Sequence, residues 1–162
     1  MSHPLFDQHR STLDRALEAI HTRGYWAAYN EMPSPKVYGE SAAADGKQAF
    51  EAHLATRFEL NQPGQTGWHG GEQSPYGVRL EVQYPVCDVQ ALIDAGQAAM
   101  GAWRAVGCEE RTGLCIEMLE RLNKQSFEIA HAVMMTTGQG WMMAVQAGSA
   151  HAQDRGLEAV AY

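Results

Sequence analysis

Between Asp88 and Gly138 the chain carries three consecutive stretches whose apolar residues recur at three- and four-residue steps. That spacing puts them on one face of a helix each, so the run limits the fold more than anything else in the sequence. The first stretch opens at Asp88, a good N-cap, and places Val89, Leu92, Ile93, Gly96, Met100 and Trp103 on one seam. Gly107 separates it from the second, where Glu109 and Glu110 complement the positive end of the helix dipole. Leu114, Cys115, Met118, Leu119 and Leu122 are expected to supply that helix's buried face, and Asn123 reads as its stop. The third runs on Phe127, Ala130, Val133 and Met134 and ends at Thr137-Gly138. The expected helices are 88–106, 108–122 and 124–137.

The flanking sequence adds fewer elements. Pro4, at home in a first turn, opens a helix expected over 4–23, with Arg23 in its last turn and Gly24 as the stop. Residues 25–44 read as an ordered loop, in which Tyr25, Trp26, Tyr29 and Tyr38 are costly to leave in water. Those rings either pack the loop onto the body of the protein or form an aromatic patch for a ligand or partner. A short helix is expected over 45–56, with Phe50 and Leu54 inward. Residues 59–77 are rich in Asn, Pro and Gly and read as turns. Val78, Leu80, Val82 and Tyr84 then alternate with polar residues, so a strand with one buried face is expected over 78–84, ended by Pro85. A last helix is expected over 140–162, with a break or kink at Gly148-Ser149. It stops at Tyr162 with no Gly, Asn, Pro or terminal cation, which reads as a cut end. The fold class is mainly α.

Composition excludes several functions. A chain of 162 residues can build one sizeable core, and 45% hydrophobic with 19% charged residues is a globular balance. A net charge of −7 without clustered Lys and Arg argues against a nucleic-acid partner. No apolar run approaches the ~20 residues that cross a bilayer, and no leader pattern opens the chain, so a cytoplasmic protein without a membrane partner is expected. Three cysteines, Cys87, Cys108 and Cys115, form neither a disulfide framework nor a CxxC and are read as packing residues. The seven histidines show no metal-ligand spacing, and His131 reads as a core histidine. No phosphate-cradling glycine loop opens a helix. His151, Asp154 and Arg155 share one helical face. They form either a solvated face with a local ion pair or a polar lining for a substrate channel.

A family resemblance covers this ground. Asp88-Val89, Ile93, Ala98-Ala99, Trp103, Glu109-Glu110-Arg111 and Thr137-Gly138-Gln139 resemble the N-terminal region of the NAD(P)-dependent aldehyde dehydrogenase superfamily. Gln139 stands where that pattern usually has Lys, and Thr136 where it usually has Glu. More narrowly, the whole chain resembles the PaaN group of phenylacetic acid degradation proteins. The segments that carry this are 3–7, 23–26, 35–40, 66–68, 74–77 and 150–155, several with Trp or Tyr.

The resemblance implies part of an α/β aldehyde dehydrogenase fold, with residues 1–76 a family-specific N-terminal extension and 77–162 the start of the dehydrogenase domain. It implies oxidation of an aldehyde to an acid in phenylacetate catabolism, after ring opening of a CoA-linked intermediate. In the family a Cys thiolate attacks the carbonyl, hydride passes to NAD or NADP, and a Glu-activated water releases the acid. Those groups lie beyond the region that Tyr162 closes, so no catalytic, cofactor or metal residue is carried over, and this polypeptide is expected to bind no cofactor and to be inactive alone. His151, Asp154 and Arg155 fall on the helix near the family's substrate entrance. The implied partners are a small aldehyde, possibly CoA-linked, and further copies in a dimer or tetramer. The residues also leave open a non-enzymatic helical binding or scaffolding domain.

Overall fold

The computed structural model describes residues 3–162 and is mainly helical. Its elements are α1 (Pro4–Thr22), α2 (Pro35–Tyr38), α3 (Ala42–Glu51), β1 (Gln65–His69), β2 (Tyr84–Cys87), α4 (Val89–Ala105), α5 (Cys108–Lys124), α6 (Ser126–Thr137), α7 (Trp141–Val145), a π-helical turn (Gln146–Ala150) and α8 (His151–Ala161).

The helix signals act locally as read. Pro4 is the first residue of α1. The Asp88 carboxylate caps α4 by accepting the Ala91 N–H at 2.8 Å. Gly138 takes the left-handed conformation that ends α6, with φ 76°. The bounds differ in detail. The left-handed residue at the end of α1 is Arg23 (φ 54°), one position before the glycine expected to fill that role. Gly24 N–H still closes the turn onto the Ala19 carbonyl. α3 starts and ends earlier than 45–56, and α5 runs through Asn123 to Lys124. The final helix is continuous in direction but not in type. Gly148 and Ser149 lie in a one-turn π segment, which accommodates one extra residue between α7 and α8.

Three elements depart from expectation. Residues 25–44 contain α2, with Pro35 in its first turn and the Ser34 side chain accepting the Lys36 N–H. The glycine-rich region contains β1, which pairs antiparallel with β2 in the register Gly67 to Val86, Trp68 to Pro85 and His69 to Tyr84. Of the strand expected over 78–84 only Tyr84 joins the sheet, as the first residue of β2; residues 78–83 make two isolated bridges, Arg79 with Gln73 and Gln83 with Arg57, and Pro85 lies inside β2 rather than ending a strand. The alternation still predicts burial: Leu80 and Val82 are 1% and 4% exposed. Their segment is bonded on both sides, Leu80 O accepting from Ala55 N–H while Leu80 N–H donates to Glu72 O, and Gln83 bridging Thr56 O and Phe58 N–H, but Glu81 has φ 54° and interrupts the ladder between them.

The core has three parts. Ile116, Ala16, Tyr29, Ala150 and Leu157 join α1, α5 and α8. Phe50, Leu80 and Val82 sit under α3 and α6. Ala130, Ala144 and Val145 join α6 and α7. Gly113 lets α1 lie on α5: a Cβ there would stand 2.4 Å from the Phe6 nitrogen. The buried face of α5 is therefore Gly113 and Ile116, whereas Met118 and Leu122, expected inside, are 62% and 43% exposed. The seam of α4 departs furthest, since no residue of that helix is buried.

Candidate functional site

A cleft of about 560 Å³ opens between the C-terminal end of α1, the 24–31 segment and α8. It forms because α8 turns His151, Asp154 and Arg155 toward the segment that leaves α1, while Leu157 beside them closes the cleft against the core. His151, Asp154 and Arg155, three and then one residue apart, line this cleft together.

Each of the three has a different task. His151 Nε2 lies 2.6 Å from the Glu31 carboxylate, 120 residues away in sequence. Asp154 Oδ1 accepts the backbone N–H groups of Ala28 and Tyr29 at 3.1 and 3.4 Å. Arg155 pairs with Glu158 on its own helix. Two of the three therefore fasten the 28–31 segment to α8, and the third pairs with Glu158, a residue outside the three, one turn further along the helix. Burial raises the pKa of Asp154 above the usual carboxylate value, while the Tyr29 and Ala28 N–H groups and the His151 and Arg155 charges pull it back.

The aromatic residues of the loop divide. Tyr29 is 2% exposed, and its hydroxyl lies beside Glu120 without a well-formed hydrogen bond. Burial, then the Glu120 and Asp154 charges, hold that phenol far above its ordinary pKa. Trp26 is half-buried with the Arg15 guanidinium 4.8 Å from its ring. Tyr38 packs edge-on against Phe127 and donates to the Asn30 carbonyl. Tyr25 alone of the four stands on the rim, 92% exposed, so the packing alternative describes the other three rings and not this one. Glu31 and the backbone of residues 28 and 29 were not candidates from sequence, because no local pattern joins them to a helix so far along the chain.

The remaining candidates hold no reactive site. His131 stacks on Phe50 and lies 4.6 Å from the Trp141 ring, and burial lowers its pKa, as for a core histidine. Cys87 and Cys115 are half-buried, but Cys108 is exposed at the start of α5, contrary to its reading as a packing residue. Among the described residues no group of His, Cys, Asp and Glu is placed to hold a metal ion. The glycine-rich region forms β1 and its turns rather than the entry to a helix. In the first turn of α4 the Ala91 N–H is met by the Asp88 carboxylate, whose charge would repel a pyrophosphate. The residues present thus do not fit a dinucleotide. No described helix is long and apolar enough to cross a membrane.

Comparison with known proteins supplies what the site lacks. No family model and no curated protein matches the chain. Among solved structures, the NAD-dependent aldehyde dehydrogenase from Burkholderia multivorans is similar over 100% of this chain, with 57% sequence identity and a TM-score of 0.94. The chain spans 29% of the length of that protein. In sequence and in fold these 162 residues match one segment of an aldehyde dehydrogenase, which supports the aldehyde dehydrogenase superfamily as the chain's family.

Proposed function

We propose that this chain serves as the N-terminal part of an NAD(P)-dependent aldehyde dehydrogenase that oxidises an aldehyde to its acid. The observation that carries this is 57% identity over the whole chain to an NAD-dependent enzyme of that kind. In this reading residues 1–76 are an extension packed on a dehydrogenase domain that begins near residue 77. NAD is the cofactor by similarity to the matched protein, held by residues outside this chain. The cleft at His151, Asp154 and Arg155 lies at the substrate entrance, and its role is to admit and orient rather than to react.

The finer assignment is to phenylacetate catabolism, with a ring-opened, possibly CoA-linked aldehyde as substrate. It is supported by the PaaN-like segments 23–26, 35–40 and 150–155, two of which meet in the cleft. The working protein is cytoplasmic and assembles as a dimer or tetramer.

The test uses two polypeptides. The 162-residue chain alone, given NAD or NADP and aldehydes, forms no NADH or NADPH above a buffer blank. A chimera in which the chain replaces the matched segment of the Burkholderia multivorans enzyme forms NADH with an aldehyde. Turnover by the chain alone overturns the first statement, and a folded chimera inactive with every aldehyde tried overturns the second.

A further inference from the structure

We infer that the outward face of α4 is a docking surface for the rest of an aldehyde dehydrogenase polypeptide, with Gly96 as the point of closest approach. The choice of occupant rests on the proposed function; the need for one does not.

The face is a single stripe. Val89, Leu92, Ile93, Gly96, Met100 and Trp103 fall within an arc of about 100° on a helix of 3.6 residues per turn, the width expected of a buried face. It carries no charged side chain. Yet Val89 is 67% exposed, Leu92 37%, and Ile93, Met100 and Trp103 46–47%. No other described helix packs along α4. A patch of this kind on one 17-residue helix marks an interaction site.

The glycines supply a second, independent observation. Six glycines lie within helical segments. At Gly46, Gly113, Gly148 and Gly156 a Cβ would stand 2.4–2.9 Å from the Phe127 Cβ, the Phe6 nitrogen, Val133 Cγ2 and Leu119 Cδ2 respectively. In those four places glycine is the residue that lets two segments touch. Gly96 and Gly101, both on α4, meet nothing within 4 Å. Glycine inside a helix is unfavourable relative to alanine, so a position without a neighbour has no local reason to keep it. Gly96 lies inside the apolar stripe, where a notch admits a ridge of an apposed apolar element. The occupant follows from length: the matched dehydrogenase holds the same fold within a polypeptide of which this chain spans 29%.

The experiment compares the isolated chain with the chimera described above, by amide hydrogen exchange and thermal unfolding. Residues 89–105 exchange at least about a hundredfold more slowly in the chimera than in the isolated chain. Gly96→Leu leaves the isolated chain's Tm unchanged or higher and lowers that of the chimera by about 4 °C or more. The milder Gly96→Ala shows the same opposition of sign at smaller amplitude. Equal exchange in the two polypeptides, or a Tm raised by Gly96→Leu in both, overturns the inference. So does an isolated chain that dimerises with α4 protected, which assigns the face to a second copy, and a chimera that fails to fold while both parents fold. Protected α4 amides in an inactive chimera support docking and count against the dehydrogenase reading; an active chimera with unprotected α4 does the reverse.

Discussion

Gly113→Ala puts the packing of α1 on α5 to a quantitative test. In an exposed helix interior the exchange stabilises by about 1 kcal/mol, because alanine loses less backbone entropy. At 113 the added Cβ meets the first turn of α1 at 2.4 Å from Phe6 N, 2.8 Å from Leu5 C and 2.9 Å from Phe6 Cα. These are backbone atoms, so no rotamer change relieves them. Restoring ordinary contact at 3.4 Å from 2.4 Å needs a displacement of 1.0 Å. That movement would also pull on the His9–Glu117 pair, closed at 2.8 Å and only 7% and 16% exposed. Overpacking of this kind costs about 1–3 kcal/mol, so the net expectation is a loss of about 1 kcal/mol, against a gain of similar size for Gly101→Ala on α4. Urea unfolding of the two variants beside the parent reads both numbers. Gly113→Ala as stable as Gly101→Ala would falsify the contact and the α1–α5 packing with it.

Two further perturbations probe the core and the cleft. Ile116→Ala, at 1% exposure, is expected to cost about 2–4 kcal/mol in the same assay, whereas Met118→Ala, 62% exposed on the same helix, changes stability by less than about 0.5 kcal/mol; equal losses refute the orientation of α5. Because burial raises Asp154 above its unfolded value of 3.8, its contribution is fully present below that value and declines as pH rises through the raised folded value. Asp154→Asn, which keeps an acceptor for the Ala28 and Tyr29 N–H groups, therefore removes that decline from a plot of Tm against pH, and an unchanged plot refutes the assignment.

The cleft was half legible beforehand. The spacing of His151, Asp154 and Arg155 put them on one face, and that face is where they are found. What they touch was not legible, because Glu31 and the 28–29 backbone come from a segment some 120 residues earlier in the chain. Nor could the sequence rank Ile116 above Met118, since both are apolar and lie two positions apart on α5. Only the approach of Phe6 at Gly113 decides which side of that helix meets α1.

Local chemistry by itself determined the helix starts and stops, for Asp88, Pro4 and Gly138 act on their own neighbours through caps and φ angles. It also carried the resemblance to the aldehyde dehydrogenase superfamily, because matched residues survive whatever the chain packs against. The alternation at Leu80 and Val82 forecast burial but not a strand: burial follows from side-chain period, whereas a ladder needs a partner edge in register. Tertiary structure alone decided that β1 arises in a glycine-rich segment, by pairing with β2. It alone decided that the apolar stripe of α4 faces outward. Periodicity states which face of a helix is apolar; only the arrangement of the other elements states what, if anything, covers it.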